Sequence, residues 1–201
     1  FFSWLMLRLS LPYLALKPGI DFLKSKTEVY HLDAWRVGFY LHVFSSVLVL
    51  IAGATQFSGL ILHRFPSLHR CMGWTYVIVL LFFSGPGAVV MAFYANGGLP
   101  AQASFVLLSL LWYVFTIGAF VSALKKKWVV HARFMLRSYA LTFSAVTLRL
   151  LVYLFVSSRW TDARPQEIYI TVAWLSWVPN LIMAEVLIGI GVVDRQLKRK
   201  V

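Results

Sequence analysis

Long apolar runs alternate with short polar connections along the whole chain. A membrane-spanning helix needs about 20 mostly apolar residues. The pattern predicts six spans, over about residues 1–16, 36–62, 74–95, 102–124, 131–156 and 168–193. The first run is short and the sequence does not begin with Met, so we expect a trimmed N-terminus. These features predict an all-α, polytopic transmembrane bundle that forms one domain over residues 1–201.

Composition places the protein in the same class. Hydrophobic residues make up 60% of the chain and charged residues 13%, and the mean hydropathy is +0.77. A soluble globular domain has about 45–50% apolar and about 25% charged residues. So few ionic groups cannot cover a water-facing surface. We therefore expect the chain to be embedded in a lipid bilayer.

The basic residues are distributed in a way that predicts orientation. The net charge is +12, but Lys and Arg are scattered between the apolar runs, so the pattern does not favour a nucleic-acid partner. Basic connections at 63–70 and 125–133 and a basic tail at 194–201 alternate with nearly neutral connections. Basic loops stay on the cytoplasmic side of a membrane. This predicts cytoplasmic N- and C-termini and, for a bacterial protein, the inner membrane.

Two predicted spans carry a polar stripe. Stepping about 100° per residue along a helix places on one face of the fifth span the residues His131, Ser138, Thr142 and Arg149. The same stepping groups in the second span His42, Ser46, Gly53 and Gln56. Polar groups at membrane depth are costly, so these stripes should face the protein interior.

A ligand site is one interpretation of these stripes. The basic and amide side chains suit an anionic or carbonyl-bearing ligand, bound by His42, Gln56, Thr142 and Arg149. A structural role is the alternative. In that case Arg149 bonds backbone carbonyls, and His42 donates to a neighbouring helix.

Histidines near the cytoplasmic side suggest a cofactor. His69 begins the third predicted span and His131 the fifth. Facing histidines of a helical bundle can hold a haem iron from both sides. This predicts a haem b site with those two axial ligands, surrounded by Arg70, Met135, Arg137 and Ser138. The alternatives are a zinc site that also uses His63 and Cys71, or interfacial histidines without a ligand.

Two further features concern packing. Glu185 lies deep in the sixth predicted span, near the depth of Arg137, and intramembrane charges usually pair. We therefore predict an ion pair between them. The Gly85–Pro86–Gly87 break falls in the third span. It is interpreted as a kink required for packing, with a functional hinge as the alternative.

Four segments resemble a known family. They are YLHVFSSVLVLIAGATQF, LHRCMGWTYV, GPGAVVMAFYANGG and HARFMLRSYALTFSAVTLRL. They are similar to the bacterial membrane-protein family of the domain of unknown function 2306, in its Bacteroidota variant, over about residues 36–157. The resemblance implies that the family's recurrent positions are His42, Gln56, Phe57, His69, Arg70, Gly73, Tyr76, His131, Met135, Arg137, Ser138 and Arg149. A looser similarity to membrane cytochromes of the cytochrome b561 kind implies haem held between helices. Those proteins usually have two histidine pairs.

These observations favour a haem-b-binding electron-transfer protein, with a quinone near His42 and Gln56 as a possible partner. Two alternatives remain open. One is a carrier or binding protein for a small anionic ligand, and the other is an accessory subunit of a larger membrane complex. The chain has no phosphate-binding loop, zinc-protease motif, nucleophile elbow or dinucleotide fingerprint. The sequence therefore predicts no enzyme class.

Overall fold

A computed structural model describes residues 2–157 and 164–198, and every regular element within them is helical. These residues form two compact units, Phe1–Ala95 and Asn96–Val201. Arg159 and Asp162 of the predicted connection, and Arg199 and Lys200 of the basic tail, lie outside the described residues.

The first unit contains five α-helices. They are α1 (Phe2–Ser10), α2 (Asp33–Thr55), α3 (Gly59–Arg64), α4 (Pro66–Val79) and α5 (Gly85–Phe93). Two short 3-10 segments, Leu11–Ala15 and Asp21–Lys26, precede α2. A π-helical segment, Leu80–Ser84, joins α4 to α5 without a turn between them.

Within residues 96–157 and 164–198, the second unit also forms five α-helices. They are α6 (Leu99–Leu124), α7 (Trp128–Ser157), α8 (Pro165–Leu175), α9 (Val178–Gly189) and α10 (Val192–Lys198). Within this unit, α6 and α7 pack against each other more extensively than any other pair of described helices. A three-residue connection joins this pair, so they run antiparallel.

Five helices of the described residues are long and apolar enough to cross a membrane. They are Asp33–Thr55, Pro66–Phe93, Leu99–Leu124, Trp128–Phe155 and Pro165–Gly189. The predicted class, an all-α membrane protein with several spans, is therefore confirmed. The run predicted as the first span instead forms the nine-residue α1 and a 3-10 segment. Pro12 lies at the start of that segment. Proline removes a backbone donor and disfavours helical geometry in the residue before it.

The Gly85–Pro86–Gly87 break allows α5 to approach α2 closely. Pro86 is at the first turn of α5, where its missing N–H is tolerated, and the wider π turn precedes it. A Cβ atom on Gly87 would lie 2.3 Å from the carbonyl oxygen of Gly38 in α2. Only glycine fits this contact, which supports the packing interpretation of the break.

Replacing Gly87 with alanine should therefore destabilise the first unit. We expect a loss of about 1–3 kcal/mol, the usual cost of overpacking, and a lower Tm by intrinsic tryptophan fluorescence in detergent. Gly59→Ala is the matched control, because a Cβ atom there meets nothing within 4 Å. An unchanged Tm for Gly87→Ala would contradict the close helix contact.

The connection before α2 packs onto that helix through aromatic residues. The buried core of this region consists of Tyr13, Leu23, Trp35 and Phe39. The ring of Phe39 lies 5.2 Å from the ring of Tyr13 and 5.4 Å from that of Trp35, measured between centroids. The connection is thus part of the packed structure of the first unit.

Lys26 ties the same connection to the end of α5. Its side chain is 4% exposed, and its Nζ donates to the carbonyl of Tyr94. Tyr94 is the C-cap of α5, where carbonyls lack partners within the helix. The ring of Phe22 lies 5.7 Å from the same Nζ. Burial lowers the pKa of Lys26 to about 8.

This pKa predicts a rise in stability on the alkaline side. In the unfolded chain Lys26 keeps its ordinary pKa of 10.5, so between about 8 and 10.5 the unfolded state binds more protons than the folded state. Stability must then increase with pH across this window. We expect Tm to rise more steeply from pH 8 to 10 in the wild type than in Lys26→Met, measured by tryptophan fluorescence. Parallel Tm curves for the two proteins would refute the assignment. Lys24→Met, an exposed neighbour, serves as the control.

Candidate functional site

The polar stripe of α7 faces α6 inside the second unit. Ser138 is fully buried and Thr142 nearly so. The Ser138 hydroxyl lies 2.7 Å from Oγ1 of Thr116, and Nε1 of Trp112 donates to Oγ1 of Thr142 at 2.9 Å. The predicted interior orientation is confirmed for these two residues of the stripe. These hydroxyls bond the two helices to each other.

His131 has a fixed orientation at the start of α7. Its Nδ1 lies 2.8 Å from the carbonyl oxygen of Ala119 in α6. A carbonyl only accepts hydrogen bonds, so Nδ1 carries the proton and the neutral ring has its lone pair on Nε2. Histidines that ligate metals through one ring nitrogen commonly donate the other N–H to a carbonyl or carboxylate. Met135, one turn further along α7, is buried.

Arg137 and Glu185 form the predicted ion pair. Nε of Arg137 lies 2.5 Å from Oε1, and Nη2 lies 2.8 Å from Oε2. This bidentate geometry is the strongest form of such a contact, and it joins α7 to α9. The guanidinium also lies over the rings of Phe115 and Phe134, at 6.0 and 5.8 Å from their centroids. The pair neutralises both charges within the hydrophobic part of the chain.

Removing one partner of this pair should cost more than removing both. Glu185→Gln leaves an unpaired guanidinium, and a charge at the centre of a spanning helix costs about 3 kcal/mol. We expect a clear fall in the Tm of purified Glu185→Gln and partial recovery in the double variant Arg137→Gln with Glu185→Gln. Additive losses in the double variant would mean that the two side chains do not interact.

Arg149 makes the backbone contact that the structural interpretation predicts, and its role in binding a ligand stays a prediction. Its Nη1 donates to the carbonyl oxygen of Ala145, one turn earlier in α7, at 2.9 Å. Asn180, five residues before Glu185 in α9, makes a second link between α7 and α9. Its Nδ2 donates to Oγ1 of Thr147 at 3.0 Å and to the carbonyl of Ser176 at 3.1 Å.

Several residues of these networks were missed by sequence reasoning. Nε1 of Trp177 donates to Oγ of Ser104 at 2.9 Å, and that hydroxyl donates to the carbonyl of Ala173 at 3.0 Å. Trp112 and Thr116 were missed as well. The sequence did contain a signal for them. Ser138 and Thr142 are one turn apart on α7, so an antiparallel neighbour should carry their two partners one turn apart in the reverse order, as Thr116 and Trp112 do on α6.

In the first unit, the stripe of α2 faces the π-helical segment. Nδ1 of His42 lies 2.9 Å from the carbonyl oxygen of Ser84, so Nδ1 is the protonated nitrogen here also. The hydroxyls of Ser46 and Ser84 are 2.7 Å apart. His42 thus donates to a neighbouring helix, as the structural alternative predicts. Ser84 is fully buried at the point where the helix departs from α geometry.

Gln56 and His69 meet at the other end of α2. Nε2 of Gln56 donates to the backbone carbonyl of His69 at 3.3 Å. Its Oε1 would be 3.2 Å from a Cβ atom on Gly73, so a glycine there leaves room for the amide. His69 is half-buried on α4, and Arg70 beside it is exposed. Gln56 therefore positions the backbone at His69.

The pairing of His69 with His131 around a haem, and that of His42 with Arg149 around a ligand, stay predictions. His69 and His42 belong to the first unit, and His131 and Arg149 belong to the second. Among residues 2–157 and 164–198, no three His, Cys, Asp or Glu side chains gather into a metal-binding group. Cys71 is exposed.

The helices and their internal polar networks define a multi-pass helical membrane protein. A family model described as Predicted membrane protein (DUF2306) matches residues 39–188. That is more than half of the chain, and the chain belongs to this family, as its sequence resemblance indicated. No curated protein and no solved structure matches it.

Proposed function

We propose that this protein is a multi-pass component of the bacterial cytoplasmic membrane that binds haem b through His131 and takes part in electron transfer. The observation that supports the proposal is the hydrogen bond from Nδ1 of His131 to the Ala119 carbonyl. It fixes the ring and keeps the lone pair on Nε2, the arrangement that an axial ligand requires. That His69 is the second axial ligand stays a prediction from the sequence.

The surroundings of His131 suit an anionic cofactor near a membrane surface. Lys125, Lys126 and Lys127 are exposed in the connection just before α7, and basic groups would neutralise haem propionates. Of the arginines predicted for that role, Arg137 is bonded to Glu185, so Arg70 is the better candidate. Bound haem would supply one-electron chemistry, and the chain would provide the ligands, the charge balance and an apolar wall at Met135.

The proposed topology places this site on the cytoplasmic side. The lysines at 125–127 and Arg195 after α9 are exposed at the ends of spans, as cytoplasmic residues are expected to be. With Pro165–Gly189 leading back to that side, the C-terminus is cytoplasmic.

A visible spectrum tests the haem proposal directly. Protein expressed with added haem and purified in detergent should show a Soret band, with sharp α and β bands after dithionite reduction. His131→Ala should lose most of this absorbance, because even the outer-shell partners of a metal ligand contribute about 10–100-fold to metal affinity, and the ligand itself contributes more.

His63→Ala is the matched control, because His63 is exposed and has no place in the proposed site. His69→Ala separates one-ligand from two-ligand binding: a loss of the sharp reduced bands supports axial pairing with His131. A flat spectrum in the wild type would reject the proposal.

A carrier or binding protein for a small anionic ligand is the second candidate. It is favoured by the π-helical segment beside His42, Ser46 and Ser84. Such segments are rare and are frequent at functional sites. A flat spectrum, combined with anion binding that His42→Gln abolishes, would select this function over haem binding.

A further inference from the structure

A groove opens on the side of α2 in the first unit. Its volume is about 890 Å³, within the range of ligand-binding pockets. The residues that matter most to its chemistry are Tyr30, Arg36, Tyr40, Phe44, Ser45 and Leu48. None of them belongs to the haem site or to the polar stripes described above.

The groove changes character along the helix. Arg36, Tyr40, Phe44 and Leu48 follow one another at intervals of four residues, so they share one face of α2. From Arg36 to Leu48 the helix rises about 18 Å, at 1.5 Å per residue. This distance is more than half the thickness of a hydrocarbon core of about 30 Å. The groove therefore runs from a basic end, near the start of a span, deep into the apolar layer.

The basic end is built from one guanidinium and two phenols. The Tyr30 hydroxyl donates to the Leu16 carbonyl at 3.2 Å and lies 3.1 Å from the Tyr40 hydroxyl. Arg36 lies over the Tyr30 ring, 5.9 Å from its centroid. The stacked ring and the bonded phenols hold the guanidinium at the mouth of the groove.

Arg36 can exchange its present partner for a ligand. Its Nη2 lies 2.6 Å from Oδ1 of Asp33, but the Asp33 side chain is 81% exposed. An ion pair in water contributes little. A guanidinium has five N–H donors and matches carboxylate or phosphate oxygens in pairs. The charge at this end therefore selects an acid.

We propose that the groove binds a membrane amphiphile with an acidic head group, a carboxylate or a phosphate. The head group bonds Arg36 at the membrane surface. A single hydrocarbon chain lies along Tyr40, Phe44 and Leu48, parallel to α2. This assignment does not depend on haem binding, and either can fail without the other.

Photo-crosslinking tests the proposal on the full chain in nanodiscs of zwitterionic phosphatidylcholine. The probe is an oleate analogue with a diazirine in mid-chain, followed by peptide mapping. We expect labelling at Leu41–Leu48 that excess oleate suppresses and excess oleyl alcohol, which has the same chain and no charge, does not. Leu110 and Val114 of α6, also exposed apolar residues, report ordinary lipid contact, and no competitor should suppress their labelling.

Variants separate the head-group contact from the apolar channel. Arg36→Gln should weaken competition by oleate about tenfold, as expected for one charge-assisted bond, and Arg36→Lys should restore part of it. Ser45→Phe fills the groove and should abolish specific labelling. Arg64→Gln, an exposed arginine outside the groove, should behave as the wild type, and all variants should retain the wild-type helical circular dichroism.

Three results would overturn the proposal. They are equal labelling of the groove and of Leu110 and Val114, equal competition by oleate and oleyl alcohol, or unchanged labelling in Ser45→Phe. Lysophosphatidic acid, which has one hydrocarbon chain, serves as a second competitor for the acidic head group. Suppression by both lysophosphatidic acid and oleate means that the groove accepts a phosphate as well as a carboxylate, and suppression by oleate alone assigns a carboxylate.

Discussion

A hydrocarbon environment offers polar groups no water, so each one must find its partner within the protein. This constraint explains most of the side-chain contacts inside the spans. In the second unit, serine, threonine and tryptophan bond α6 to α7, and a carboxylate neutralises the one guanidinium beside it. In the first unit, His42 donates to the Ser84 carbonyl just before the proline that interrupts α geometry, and the hydroxyls of Ser46 and Ser84 bond each other.

The same constraint makes part of the structure readable from sequence. Apolar length alone predicts the spans, because nothing else in a chain requires about 20 consecutive apolar residues. Helical stepping correctly oriented Ser138 and Thr142 towards the protein interior. Charge balance found the partner of Arg137, since Glu185 was the only acid deep in any span. Each of these inferences depends on the geometry of a single helix, or on an ionic side chain that has few possible partners.

The features that could not be predicted from the sequence depend on how helices pack against one another. The short first run was interpreted as a span without weighing Pro12, where α1 gives way to a 3-10 segment. Nothing in the sequence indicated that Lys26 would reach the end of α5. Stepping along one helix shows that His131 is on a polar face, but the identity of the facing carbonyl requires the register of α6. The groove beside Arg36 was missed because its apolar residues look like any lipid-facing positions. Its mouth depends on a contact between Tyr30 and Tyr40 that only folding creates.

Two of the hydrogen bonds between α6 and α7, each joining two side chains, also act as a check on assembly. Thr116–Ser138 and Trp112–Thr142 repeat after one turn on each helix. Sliding α7 by one turn in one direction would set Thr116 opposite Phe134 and Thr142 opposite Leu108, which leaves both hydroxyls without their interhelical partners. Sliding it the other way would strand Ser138 against Phe120 and Trp112 against Val146. Either misaligned hairpin keeps one of these two bonds at most, and the lipid around it offers no water to replace the lost bond.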